Sequence, residues 1–401
     1  MNREFDILIA GGGMVGLAVA LALLQGDASD QCKITVVDAG KRPAFSPGQE
    51  VSLRVSAIAS GTASQLASLG AWDSIAEARV CPYRDMKVWD ATGSVEGPET
   101  LRFDAADFAV PQLGFIVENI LIQDALLSLL DAANVSINFE TPIRSVQKCG
   151  NRYVVEYGNG ETMKPELLIG ADGASSFVRN SAGITVRSWQ FPQTALVTHL
   201  QPELSHRNTA WQRFLANGPV ALLPLRDGRV STVWTTTPEQ AEELLNATDD
   251  QMASLLTEAT DSVLGNLSAA GPRGSFPLKS QHADRYVLDG LALVGDAAHA
   301  VHPLAGQGAN LGLADARVLA AVIAEALAAG EHPGDLPILR RYERARKVAN
   351  KSMLHFINGL NRLFSNESTP LARLRGAGMA LFNKSGPIRD YAVQVALGIR
   401  G

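Results

Sequence analysis

The feature that most constrains this chain is a glycine turn held between a short buried strand and an apolar helix. Phe5 to Ala10 reads as the strand and Leu17 to Leu24 as the helix, with Gly11-Gly12-Gly13-Met14-Val15-Gly16 between them. Gly11, Gly13 and Gly16 fall in the G-x-G-x-x-G positions. Gly11 permits the tight turn, Gly13 lets backbone approach a pyrophosphate, and Gly16 lets the helix pack close to the strand. The helix N-terminus then offers free N–H groups and a partial positive charge to the phosphates. Lys33 to Val37 reads as a second strand. It ends at Asp38, 22 residues beyond Gly16, where an acid suits a ribose hydroxyl pair and repels a 2′-phosphate. A lone glycine turn is weak. With a strand before it, a helix after it and the acid at this distance, it points to an adenine dinucleotide, without separating FAD from NAD.

Two later segments narrow the choice. Leu167 to Gly170 is a short buried strand that runs into Ala171-Asp172-Gly173-Ala174 and on to Arg179. Leu291 to Gly295 is another, running into Asp296-Ala297-Ala298-His299, then Pro303 and Gly306-Gln307-Gly308-Ala309-Asn310, where a helix begins. Each places a carboxylate at the C-terminal end of a parallel strand, where ligands of open α/β sheets bind. Either Asp alone reads as a helix cap; the two together with the glycine turn read as ligand sites.

The rest of the pattern organises around these segments. The stretch from Thr194 to Thr237 is β-rich, Glu239 to Thr260 is helical, and everything after Asn310 is helical with breaks at Pro333, Pro370 and Pro387. The fold class expected is α/β. A Rossmann-like dinucleotide domain is assembled from 1–75, 112–180 and 283–349. A β-rich substrate domain from 76–111 and 181–282 is inserted into it, and a helical C-terminal region covers 350–401.

The motifs GGGMVG, GADGASSFVR and LVGDAAHAVHPLAGQGANLG resemble three signature segments of the FAD-dependent aromatic hydroxylases, whose fold is that of para-hydroxybenzoate hydroxylase. LRVSAI (Leu53 to Ile58), GFIVEN (Gly114 to Asn119) and RRYERARK (Arg340 to Lys347) narrow the resemblance to the ubiquinone-biosynthesis hydroxylases, over essentially the whole chain. The resemblance implies tightly bound FAD and NAD(P)H as a transient reductant. Gly11, Gly13, Gly16 and Asp38 would hold the ADP half, and Asp296 the ribityl chain or pyrophosphate. Asp172 and Gly173 would serve both FAD and the nicotinamide. Gly308, Ala309 and Asn310 would lie beside the flavin ring, with Pro303 and Gly306 in its surroundings. Arg54 and Asn119 would contact the flavin from the other side, with Gln123 as a competitor to Asn119. No protein nucleophile and no metal is implied, because the flavin carries the chemistry. A single glycine-rich turn gives no support to a second, permanent nicotinamide domain.

His299 and His302 stand open to three readings: metal ligand, proton shuttle or structural hydrogen-bonding residue. A third metal ligand is lacking nearby, and the structural reading leads.

The substrate implied by the resemblance is a polyprenylated phenol or benzoquinol, attacked with O2. Two alternatives stay open, a hydroxylase of another small aromatic and a non-catalytic FAD-binding subunit. Such a prenylated substrate lives in membrane, which draws attention to the C-terminal charge. From Arg340 onward 12 Lys/Arg stand against 3 Asp/Glu, a net of +9 in a chain of −6, so the remainder carries −15. Met353, Phe356, Ile357, Leu360, Leu363 and Phe364 share one helical face there. This region is either a docking surface for anionic lipid or a biosynthetic complex, or a helix packed on the body of the protein. The net negative charge disfavours nucleic acid. Cys32, Cys81 and Cys149 form no C-x-x-C pair, which fits a reducing cytosol. No apolar run reaches the roughly 18 residues of a bilayer span. The expected location is cytoplasmic, peripheral at the inner face of the membrane.

Overall fold

A computed structural model describes residues 5–26, 29–133, 135–302 and 306–364, together with Gly378, residues 381–383, 385 and 386, and Arg389. Its framework is a six-stranded sheet. The strand Phe5–Ala10 lies between Cys32–Val37 and Leu167–Gly170. Ser136–Asn138 continues the sheet beyond the former, and Leu291–Leu293 followed by Val287–Leu288 continues it beyond the latter. All pairings are parallel except the last. Ile7, Leu8, Ile9, Leu167, Leu168 and Ile169 are fully buried, as expected of parallel strands covered on both faces.

The three strands that lead into the three motifs are neighbours: Leu291–Leu293, Leu167–Gly170 and Phe5–Ala10, in that spatial order. Their carboxyl ends lie at one edge, stitched by Ala171 N donating to Ala10 O at 2.7 Å and Val294 N to Gly170 O at 3.0 Å. Nothing in the linear sequence fixes this order; the pairing of buried apolar strands does.

An eight-stranded sheet takes Asp85–Asp90 and Leu101–Asp104 from early in the chain. Its remaining strands come from Val186–Pro202 through to His299–Ala300. Two features here differ from the sequence reading. The helix expected from Glu239 to Thr260 is two helices, Pro238–Asn246 and Asp249–Ala259. The break is set by a capping box, in which Thr248 and Gln251 satisfy each other's backbone N–H groups. The 17-residue strand Leu267–Ala283 has no counterpart in the reading, because Gly271, Pro272, Gly274 and Pro277 argue against a strand. It forms nonetheless along Val186–Pro202, with register shifts where the two strands bulge.

The helix Gln307–Ala328 packs against Met14–Gln25, and the long helix Leu336–Phe364 packs against Gln307–Ala328 in turn. The stripe foreseen near its end divides. Ile357 is 2% exposed and packs with Val88 and Phe214 of the eight-stranded sheet, joined by Met353, whereas Phe356 is 59% exposed. The side chains of Leu360, Leu363 and Phe364, and most of the basic C-terminal region, lie outside the described residues. Among the described residues no helix is long and apolar enough to cross a membrane.

Candidate active site

The glycine turn takes the form its spacing demands. Gly11 has φ of 116°, and a Cβ there would lie 2.3 Å from Ala171 O. A Cβ on Gly16 would lie 2.0 Å from Gly11 O. Both glycines are therefore needed by the fold itself. Gly13 differs: a Cβ there would meet nothing within 4 Å. It caps helix Met14–Gln25 with no side-chain hydrogen bond and no acid in the first turn. The partial positive charge of that turn is thus met by no side-chain cap and no acid of its own.

Asp38 is half-buried at the end of its strand. Its two oxygens accept from Gly12 N at 2.6 Å and Gly40 N at 2.7 Å, which fixes the carboxylate beside the turn while leaving lone pairs for a hydroxyl partner. Gln123 reaches the same turn, with Nε2 3.5 Å from Gly12 O. One helical turn earlier, Asn119 donates its N–H to Arg54 O at 2.9 Å and accepts from Ser56 Oγ at 2.7 Å. Arg54 is exposed, with its guanidinium over the Phe276 ring. Its loop is anchored by the buried Glu118, which accepts from Ser52 N and pairs with Arg79.

Asp172 takes up the capping reading with one of its two oxygens. Oδ2 caps the short helix Phe177–Ser181 by accepting from Val178 N at 3.0 Å, while Oδ1 is buried without a partner among the described residues. A buried, unsatisfied carboxylate oxygen is costly unless a ligand donates to it. Gly173 has φ of 79°, and a Cβ there would meet nothing within 4 Å. Arg179, from the same motif, donates to Ala297 O and Ala174 O at 3.0 Å each and so ties the middle motif to the late one.

Asp296 faces solvent yet is crowded by protein, and this desolvation raises its pKa, with His299 pulling the other way. Beyond it, Gly306 caps helix Gln307–Ala328 at φ of 61° with no side-chain hydrogen bond. A Cβ on Gly308 would find only Val301, at 3.9 Å. Asn310 is engaged by the fold: its amide bridges Ala57 O at 2.9 Å, Ala59 N at 3.0 Å and Gly306 O at 3.2 Å. It therefore fixes the helix start against strand Val55–Ala59. Ala309 is half-buried beside it. Pro303 lies outside the described residues.

Sequence reasoning missed the group that holds this end together. Asp315, two turns into the same helix, is 0% exposed and accepts four hydrogen bonds. Gly295 N (3.1 Å) and His299 Nε2 (2.5 Å) donate to Oδ2; Arg346 Nε (2.7 Å) and Asn350 Nδ2 (3.0 Å) donate to Oδ1. Burial by itself would push its pKa up; His299 and Arg346 outweigh burial and hold it below the usual carboxylate value. Arg346 lies in the RRYERARK segment. In that segment Tyr342 also donates to Leu293 O at 2.8 Å and Glu343 accepts from Tyr286 N at 2.8 Å. The late motif is thus clamped from behind by the last helix. His299 takes the structural role. His302 has both ring nitrogens buried and unpartnered among the described residues, edge-on to Phe191, and burial lowers its pKa to about 4.

Open space in front of Gly13, Gly173 and Gly308, an orphaned Asp172 oxygen and two uncapped helix N-termini at one sheet edge fit an extended dinucleotide. The fold and site define a dinucleotide-binding protein with a second, eight-stranded sheet beside the binding edge, and comparison makes the assignment specific. The family model described as "FAD binding domain" matches residues 4–356. The chain is 36% identical to the 3-demethoxyubiquinol 3-hydroxylase of Escherichia coli strain K12, covering 99% of this chain and 100% of the relative. It is also 36% identical to the mitochondrial ubiquinone biosynthesis monooxygenase COQ6 of Homo sapiens, covering 98% and 93%. The chain therefore belongs to the FAD-dependent monooxygenase family that contains the ubiquinone-biosynthesis hydroxylases. Solved structures agree on the fold: Klebsiella pneumoniae HpxO complexed with FAD and uric acid superposes with a TM-score of 0.76 at 18% identity, covering 99% of this chain and 97% of that one. Pseudomonas aeruginosa PqsL in complex with 2-aminobenzoylacetate superposes with a TM-score of 0.76 at 22% identity, covering 94% and 99%.

Proposed function

We propose that this enzyme hydroxylates the ring of a polyprenylated phenol or benzoquinol in ubiquinone biosynthesis, using NAD(P)H and O2. The observation that carries the reading is the convergence of three motif-bearing strand ends on one edge, in a chain matched over its length by hydroxylases of that pathway. When bound, FAD accepts a hydride from the nicotinamide and activates O2 for transfer of one oxygen atom to an electron-rich ring carbon.

The chain's own residues hold, orient and shield. The first turn of helix Met14–Gln25, reached past Gly13, would take the pyrophosphate, and Asp38 the adenosine ribose. Asp296 would meet the ribityl chain or pyrophosphate, and Asp172 with Gly173 the space shared with the nicotinamide. Gly308 and Ala309 would present helix N–H groups to the flavin carbonyl side, stabilising negative charge there. Asn310 sets that helix start, and Gly306 would lie beside the ring. Arg54, Asn119 and Gln123 would border the cofactor from the opposite side. The domain division at 75, 112, 180, 283 and 349 belongs to the same proposal. So does a cytoplasmic location at the inner face of the membrane, supported by the basic charge after Arg340 and the exposed Phe356.

The test is an absorbance spectrum of the purified protein, then NAD(P)H addition with and without a prenylphenol. Flavin bands, oxidation accelerated by the phenol and a product one oxygen heavier are expected. No product from any prenylated phenol or quinol would overturn the substrate class. Deletion from Lys351 onward should weaken binding to anionic vesicles; unchanged binding by a folded variant would remove the membrane role.

A further inference from the structure

One side chain on the inner face of the eight-stranded sheet has no partner among the described residues. Gln212 lies in strand Thr209–Leu215. Its sequence neighbours point the other way: Trp211 packs with the core under the two capped helices, and Arg213 donates to Glu258 O and Ala259 O. Strand alternation therefore puts Gln212 on the opposite face with Phe214. Its cross-strand neighbours there are Val88 and Ala221. Val88 and Phe214 pack with Ile357, Met353 and Val301. Gln212 is 9% exposed, and among the described residues its amide makes no hydrogen bond.

The amide keeps part of that remaining exposure, so a polar group sits on an apolar wall with no protein partner among the described residues and is free to bond a ligand there. The wall also has a fixed relation to the cofactor end. Val301 belongs to this cluster and is the residue nearest a Cβ placed on Gly308. The wall and the start of helix Gln307–Ala328 thus share a side chain. We propose that Gln212 hydrogen-bonds an uncharged oxygen substituent of the substrate ring, seated between this sheet face and that helix start. The inference rests on the functional reading above and adds the group that orients the ring. An amide both donates and accepts, so it suits a phenol hydroxyl. Its apolar neighbours Val88 and Ala221 suit the ring itself and disfavour a carboxylate, which would need a cation.

The experiment measures Kd for 2-prenylphenol and for prenylbenzene, which lacks the oxygen, by perturbation of flavin absorbance in the holoenzyme. It compares wild type with Gln212→Leu and Gln212→Met. Wild type should prefer the phenol by about tenfold, the worth of one neutral hydrogen bond in a buried site. Both variants should bind the two ligands within about a factor of two, with FAD content and thermal stability at least equal to wild type. Retention of the tenfold preference in both variants overturns the proposal. Equal binding by a wild type that still hydroxylates prenylphenol overturns it while leaving the functional reading intact. A wild type that binds neither ligand removes both.

Discussion

Replacing Asp315 with Ala removes an acceptor from four donors at once. Its carboxylate is fully buried between Gly295, His299, Arg346 and Asn350. Deleting one member of a buried, hydrogen-bonded ion pair costs about 3–5 kcal/mol, because the partner charge is left without compensation. Arg346→Ala should cost a similar amount for the converse reason. Asn350→Ala removes one neutral donor and should cost about 1 kcal/mol. The ordering is the content of the prediction, read from urea unfolding of the FAD-free proteins. A second readout is local. Gly295 loses the acceptor that fixes the backbone before Asp296, so FAD retention on gel filtration should fall in Asp315→Ala beyond what its lower stability explains. The pH dependence has a definite sign. Asp315 has a lowered pKa when folded, so its contribution is fully present above the unfolded carboxylate value of about 4 and is lost as the pH falls toward the folded value. The deficit of Asp315→Asn against wild type should shrink in that acidic window. An Asp315→Ala protein that unfolds at the wild-type urea midpoint would refute the reasoning.

Gly13→Ala should leave thermal unfolding of the FAD-free protein unchanged while weakening FAD binding by about tenfold or more in a titration, since its Cβ would meet only the space a pyrophosphate takes. Gly11→Ala, whose Cβ would strike Ala171 O, should destabilise the FAD-free protein as well. Asp296→Ala should purify largely colourless; a yellow protein of normal FAD content would show this site to be misplaced. His302 has its pKa lowered to about 4 by burial, so the unfolded chain binds its proton first and wild-type stability should fall as the pH drops from about 6.5 toward 4. His302→Leu should flatten that part of the acid limb in a thermal-shift series.

By itself the sequence determined what local chemistry determines. A glycine turn between a strand and a helix has few conformations available, so Gly11, Gly13, Gly16 and the acid at Asp38 were readable by spacing. An Asp just after an apolar strand likewise marks a carboxyl edge whatever surrounds it, and this located Asp172 and Asp296. What covers a face, or which strand lies beside which, is decided by long-range packing. Only the tertiary structure placed three motifs, widely separated along the chain, on neighbouring strands. It turned Arg346, readable only as one residue of the RRYERARK segment and of the basic C-terminal charge, into the partner of a buried Asp315. It also divided the last helix's apolar stripe between the protein body, at Ile357, and solvent, at Phe356. Periodicity states which side chains share a direction; it cannot state what they meet. For the same reason the alternation that put Gln212 opposite Trp211 was present in the sequence from the start, and the apolar wall around its amide was not.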